Sequence, residues 1–150
     1  MKRMLTIWLA AVAMAMLSGC SNNNLYEDMP AEIQSFVSQY YPGSALAAFT
    51  SSANSYTVII KDGPTISFSS DCRWTRVDGN GSTLPQVLMF NDLPPELYSY
   101  LQETENTGHV FCVSRNAKAY TVELLTETLT YDIATGEITG HPTSPTGGGQ

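Results

Sequence analysis

The tripeptide Tyr-Thr-Val occurs twice in this chain, at Tyr56–Val58 and again 64 positions later at Tyr120–Val122. The same offset aligns Pro30 with Pro94, Glu32 with Glu96, Ser35 with Ser99 and Ala53 with Ala117. Conservative matches fill the intervals: Ile33 with Leu97, Phe36 with Tyr100, Val37 with Leu101, and Ile60 with Leu124. From Met29 to Ile60 the alignment needs no gap. A gapless match at one offset is the mark of a duplicated structural unit.

Each unit opens on a helix. Ile33, Phe36, Val37 and Tyr40 stand at i, i+3, i+4 and i+7, one apolar stripe, and Leu97, Tyr100 and Leu101 repeat it. Pro30 and Pro94 are expected in the first turn, where a missing N–H costs nothing, with Asp28 and Asp92 as caps. The "YPG" of Tyr41–Gly43 stops the first helix. Strands follow by alternation: Tyr56, Val58 and Ile60 share one face, Thr57 and Ile59 the other. Ile66 and Phe68 continue after the Lys61–Pro64 turn, and Arg73–Val77 precedes the turn at Asp78–Gly81. Weaker strands are expected at Leu46–Thr50 and Val110–Ser114. The expected fold class is α+β: a tandem duplication of a helix plus a four-stranded antiparallel sheet, both helices packed on one face. Residues 28–81 form the first unit and 92–140 the second, with a connector at 82–91. In this reading each Tyr-Thr-Val is a central strand presenting Tyr and Val to its own helix.

The ends of the chain read differently. Lys2 and Arg3 precede an apolar run from Leu5 to Leu17. Thirteen residues rising 1.5 Å each cover about 20 Å, short of the ~30 Å hydrocarbon core, which describes a secretion leader rather than a membrane span. The leader ends in Leu17-Ser18-Gly19-Cys20, which resembles the lipobox of bacterial lipoproteins. That implies removal of residues 1–19, acylation of Cys20 and a lipidated tether over 20–27. Several acyl chains give firm anchoring where one is marginal. Ser21 after the cysteine resembles outer-membrane sorting, so the expected location is lipid-anchored in the outer membrane facing the periplasm, with surface exposure as the alternative. Residues 141–150 have three glycines, two prolines and no apolar anchor, and are expected to be a disordered tail. Loss of Lys2 and Arg3 with the leader leaves 5 basic side chains against 14 acidic ones, a net charge near −9. Such a surface argues against nucleic acid as a partner.

No nucleophile, base and orienting group can be assembled. The chain has no HExxH, GxSxG, Walker loop or Cys-x-x-Cys, and His109 and His141 are its only imidazoles. No catalytic residue, cofactor or metal site is expected, and the chain reads as a non-enzyme. The Asp78–Ser82 stretch has a faint look of a calcium loop but lacks the further carboxylates, and reads as a hairpin turn. Cys72 and Cys112 are candidate disulfide partners in an oxidising compartment, closing a loop of 41 residues; the alternative is two partly buried free thiols. Trp74 matches Ile138 at the common offset and reads as a core residue.

With these motifs in place the chain resembles the PepSY-like lipoproteins of Gram-negative bacteria, whose fold looks like that of the tandem-repeat β-lactamase inhibitor proteins. The stretches that carry the resemblance are Met29–Gly43, Tyr56–Gly63, Phe68–Gly81, "LPPELYSYL" and "AYTVEL", so it covers about residues 28–140. Two departures stand out. Cys72 occupies a position where the family has Gly, and the second unit has Glu105-Asn106-Thr107-Gly108 in place of "YPG". The resemblance implies a periplasm-facing binding or inhibitory module.

A sheet with both helices on one side leaves its other face for a partner. That face is expected to carry Thr57, Ile59, Thr75, Thr121 and Glu123. Related inhibitors insert hairpin tips into their targets, and the candidate tips are Ser51–Asn54 and Arg115–Lys118, with Arg115 and Lys118 as the charged contacts. The partner expected is an envelope protein of unspecified identity. A second reading is a structural or sensory envelope lipoprotein that holds a small ligand or a cell-wall fragment and has no enzyme target.

Overall fold

The computed structural model describes residues 23–142. Its centre is one sheet of eight antiparallel strands whose spatial order follows the sequence. The strands are β1 (Leu46–Ser51), β2 (Ser55–Ile60), β3 (Thr65–Ser69), β4 (Trp74–Asp78), β5 (Val110–Arg115), β6 (Ala119–Leu124), β7 (Glu127–Asp132) and β8 (Ile138–Pro142). Helices α1 (Asn23–Glu27) and α2 (Ala31–Tyr40) precede the first four strands. Helices α3 (Gln86–Asp92) and α4 (Pro95–Glu103) precede the last four. The fold is thus α+β with an open antiparallel sheet.

Strand pairing lines residues up into rows that cross the whole sheet. One row reads Phe49, Val58, Ile66, Val77, Val113, Val122, Leu129 and Gly140, from β1 to β8. Six of these, from Val58 to Leu129, have 0 % exposure, so this row is the floor of the core. Branched and aromatic side chains suit such a pleated, half-buried surface. The helices contribute the stripe their spacing demands: Ile33, Val37 and Tyr40 from α2, and Leu97 and Leu101 from α4, are buried in the same cluster. Phe36 of α2 meets Phe68 of β3 edge to face at 5.4 Å.

The pairs of β1 with β2 recur in β5 with β6 at the common offset. Leu46↔Ile60 corresponds to Val110↔Leu124, Phe49↔Val58 to Val113↔Val122, and Ser51↔Tyr56 to Arg115↔Tyr120. The irregularity between Leu46 and Ala48 returns between Val110 and Cys112. From β7 onward the correspondence slips by one residue, because Glu123 pairs with Thr128 where Ile59 pairs with Thr65.

Local details depart from the sequence expectation. Pro30 and Pro94 stand at the cap position just outside their helices, with no side-chain cap. The Pro30 carbonyl accepts instead from Ile33 N and Gln34 N, both at 3.0 Å. Asp92 does not cap α4; it ends α3 and turns its carboxylate toward Tyr40 and Trp74. The connector at 82–91 holds most of α3, whose Leu88 and Met89 are fully buried. The expected tether is helical from Asn23, and Leu25 and Tyr26 pack on the core. At the far end β8 runs to Pro142, into the expected tail. Cys20 and the leader lie outside the described residues.

Candidate functional site: the open sheet face and its hairpin rim

Alternation along each strand puts the other set of side chains on the face away from the core row. Its central row reads Thr50, Thr57, Ser67, Arg76, Ser114, Thr121, Thr130 and Thr139, a hydroxyl on every strand except β4. At 4.7–4.9 Å between strands the row is roughly 34 Å long. The next row carries Ala48, Ile59, Thr65, Asp78, Cys112, Glu123, Thr128 and His141. Of the expected face residues, Thr57 and Thr121 lie in the first row and Ile59 and Glu123 in the second.

Thr75 lies in neither row. Ser67 pairs with Arg76 while Phe68 pairs with Trp74, so Thr75 is the extra residue of a bulge and donates to the Ser67 carbonyl at 3.2 Å. A bulge inserts one residue and reverses the faces beyond it. Arg76 thereby takes the place that alternation assigned to Thr75. Its guanidinium bonds Asp78 Oδ2 at 3.1 Å and Glu123 Oε1 at 3.3 Å, the one charge cluster of this face. The Asp78 carboxyl lies below its ordinary range, held there first by the Asn80 backbone N–H and then by Arg76. Asp78 also anchors the β4 turn, where the Asn80 side chain donates to Gly63 O and Thr65 Oγ1. Among the described residues no group of three or more His, Cys, Asp or Glu is placed to hold a metal ion.

Cys112 sits between Asp78 and Glu123 in this second row. It is 2 % exposed yet separate from the main apolar cluster, and burial first, with Glu123 adding to it, pushes its thiol up to about 12. Cys72 lies in the turn between β3 and β4, with φ +60°, packed against the core cluster. Both are free thiols, the alternative to the candidate disulfide: one belongs to the core side of a turn, the other to the open face. The turn itself survives the loss of glycine because Cys72 adopts the left-handed conformation that Gly136, its partner at the common offset, also adopts at φ +72°.

The hairpin rim is arranged differently from the face. Arg115 follows Val113 on the same side of β5, so it lies with the core row and not with Thr57 and Thr121. Its Nε donates to the Trp74 carbonyl at 2.6 Å, and its guanidinium carbon stands 4.4 Å from the centre of the Trp74 ring. Trp74 itself is 3 % exposed, a core residue as its spacing suggested. Lys118 is exposed at the tip, where Asn116 Oδ1 accepts from the backbone N–H of Lys118 and Ala119. Between the β3–β4 and β5–β6 turns runs a groove of about 490 Å³. Sequence reasoning missed Arg76 and the Arg115–Trp74 stack; the first hides behind the bulge, and the second depends on a contact 41 positions apart.

A model of the family described as "Putative beta-lactamase-inhibitor-like, PepSY-like" matches residues 54–137, more than half of the chain. Solved structures from Bacteroides share the architecture. A Bacteroides vulgatus protein described as a "putative periplasmic protein" is 19% identical, with TM-score 0.64 over 76% of this chain and 90% of its own. A Bacteroides thetaiotaomicron protein described as a "putative calcium-regulated periplasmic protein" is 24% identical, with TM-score 0.63 over 76% of this chain and 92% of its own. A second Bacteroides vulgatus protein reaches 20% identity and TM-score 0.63, covering 77% and 93%. At these identities the likeness concerns the fold. No curated protein matches the chain.

Proposed function

The chain belongs to the PepSY-like, beta-lactamase-inhibitor-like family, and from that premise we propose that it is a non-catalytic envelope module that binds another protein on its open sheet face. One observation carries this reading. The chain has 14 acidic side chains, yet the eight-strand central row presents only hydroxyls and one arginine, already paired with Asp78 and Glu123. Short side chains lose little rotamer freedom on docking, whereas each immobilised Lys or Glu costs about 1 kcal/mol or more. Depletion of long charged residues is also what the centre of an interface shows. Ile59, 37 % exposed, supplies a single apolar contact.

The matching registers of β1–β2 and β5–β6 favour two copies of one helix-and-sheet unit, with α2 and α4 covering the same face. The lipobox-like Leu17–Cys20 and the periplasmic descriptions of the structural neighbours favour an outer-membrane lipoprotein facing the periplasm. Inhibition of a bound enzyme is the form of binding that the family description suggests. A second reading, a sensory or structural lipoprotein holding a small ligand, draws on Tyr41. Its hydroxyl is buried without a hydrogen-bond partner among the described residues, beside a pocket of about 260 Å³ that Ser44, Asp62 and Thr83 also line.

Capture from envelope extract on the immobilised protein tests the first reading. A stoichiometric partner should be retained by the wild type and lost with Ile59→Asp or Thr121→Lys, both folded. Equal retention by the wild type and both variants would remove the open face as the docking surface.

A further inference from the structure

We propose that the rim groove beside Arg115 is a carboxylate-binding site that receives an acidic side chain of the docked protein, an inference that rests on the protein-binding reading above. Arg115 is half-buried and stacked on Trp74, with Nε committed to the Trp74 carbonyl at 2.6 Å. Its two Nη groups have no hydrogen-bond or ion-pair partner among the described residues. That is unusual in a chain where acids outnumber bases by two to one, 14 against 7 even with the leader counted. A guanidinium fixed by its stem and one face presents its remaining edge ready-made for the two oxygens of a carboxylate.

The surroundings select the ligand. The groove is about 490 Å³, room for a side chain and its backbone. Arg73 on its opposite wall is already engaged by Asp71 at 3.2 Å, so Arg115 is the one uncompensated charge of the lining and the site suits a monoanion. A phosphate would bring a second negative charge toward a strongly acidic protein. Tyr120 and Ile133 line the groove and give an apolar flank for the methylenes of Glu. Asn116 is held by the turn it caps, so the wall that carries it is already ordered. Ser69, Asn116 and Ala117 also line the groove, which places it at the hairpin rim.

The test uses the full-length protein and three N-acetylated tripeptides: Ala-Glu-Ala-amide, Ala-Gln-Ala-amide and Ala-Ala-Ala with a free carboxylate. Binding is read from the Arg115 Nε–H and Trp74 Nε1–H resonances. The Glu peptide should shift both to saturation, and the Gln peptide should bind about tenfold or more weakly, the usual scale for a charged hydrogen bond. Arg115→Gln should abolish the response, Arg115→Lys should weaken it several-fold if the Gln variant fails to fold, and Lys61→Gln, the same charge change in the turn between β2 and β3, should leave it intact. Equal binding of the Gln peptide, or an unaltered response in folded Arg115→Gln, overturns the site. A response to the free-terminus peptide alone overturns the side-chain assignment in favour of a chain end. Envelope capture separates the two readings. Loss with Ile59→Asp but not with Arg115→Gln defeats this site and leaves the open face standing, while retention by both variants defeats both.

Discussion

The indole Nε1 of Trp74 donates to Asp92 Oδ1 at 3.1 Å, and the other oxygen of that carboxylate accepts from the Tyr40 hydroxyl. One side chain thus ties β4 to α3 and α3 to α2. Asp92→Ala leaves two largely buried donors without an acceptor, and a buried unsatisfied group costs about 1–3 kcal/mol. We expect Asp92→Ala to lower the unfolding free energy by about 2 kcal/mol, and Asp92→Asn, which keeps one acceptor, by less. Urea unfolding with an unchanged slope measures both.

Alkaline pH attacks the same region. Burial first, and the Asp92 carboxylate next, raise Tyr40 to about 12; burial alone raises Tyr41 to about 12. An unfolded phenol ionises near 10. The folded state therefore prefers the neutral phenol, and this contribution is whole below pH 10 and lost as pH rises through 12. Unfolding free energy should fall steeply across that window. Tyr41→Phe should flatten the fall, and because its hydroxyl has no partner among the described residues it should raise stability at neutral pH by about 1 kcal/mol. A drop of that size at neutral pH would show that the hydroxyl is satisfied after all.

Cys72 carries a left-handed backbone without being glycine. That conformation costs an L-residue roughly 1–2 kcal/mol. Cys72→Gly relieves the strain and Cys72→Ala does not, while both discard the packing of the thiol. The glycine variant should be the more stable of the two by about 1 kcal/mol in thermal unfolding, and identical melting temperatures would dismiss the strain.

Gly79 tolerates nothing larger. A Cβ there would stand 1.9 Å from the Ser82 carbonyl oxygen and 3.0 Å from that of Phe111, which accepts from Gly79 N at 2.8 Å. Both obstacles are backbone and cannot swing aside. Gly79→Ala should destabilise by roughly 3 kcal/mol or more, the range reserved for enforced backbone shifts, and a loss under 1 kcal/mol would mean the turn has an alternative path.

The sequence made several strands legible because period-two alternation is a local signal: Tyr56, Val58 and Ile60 announce their face unaided. The open face was legible to the extent that alternation persists, at Thr57, Ile59, Thr121 and Glu123. It failed beyond Thr75, where one inserted residue reversed the parity and brought Arg76 out. Arg115 was read as a tip residue, but its side follows from Val113 and its role from Trp74, which no local pattern announces. Asp92 looked like a cap because it precedes a helix by three residues; its true partners are 52 and 18 positions away. Spacing predicts neighbours along the chain, and these sites are made by neighbours across it.

The single arginine in the hydroxyl row has a geometric consequence. A surface that repeats the same group from strand to strand is like a scale without graduations: a molecule sliding along it meets equivalent ground at every step and has no preferred stopping place. Arg76, 44 % exposed on β4 next to the midpoint of the eight strands, breaks that equivalence once. It gives the face an origin, with three hydroxyl-bearing strands on one side and four on the other.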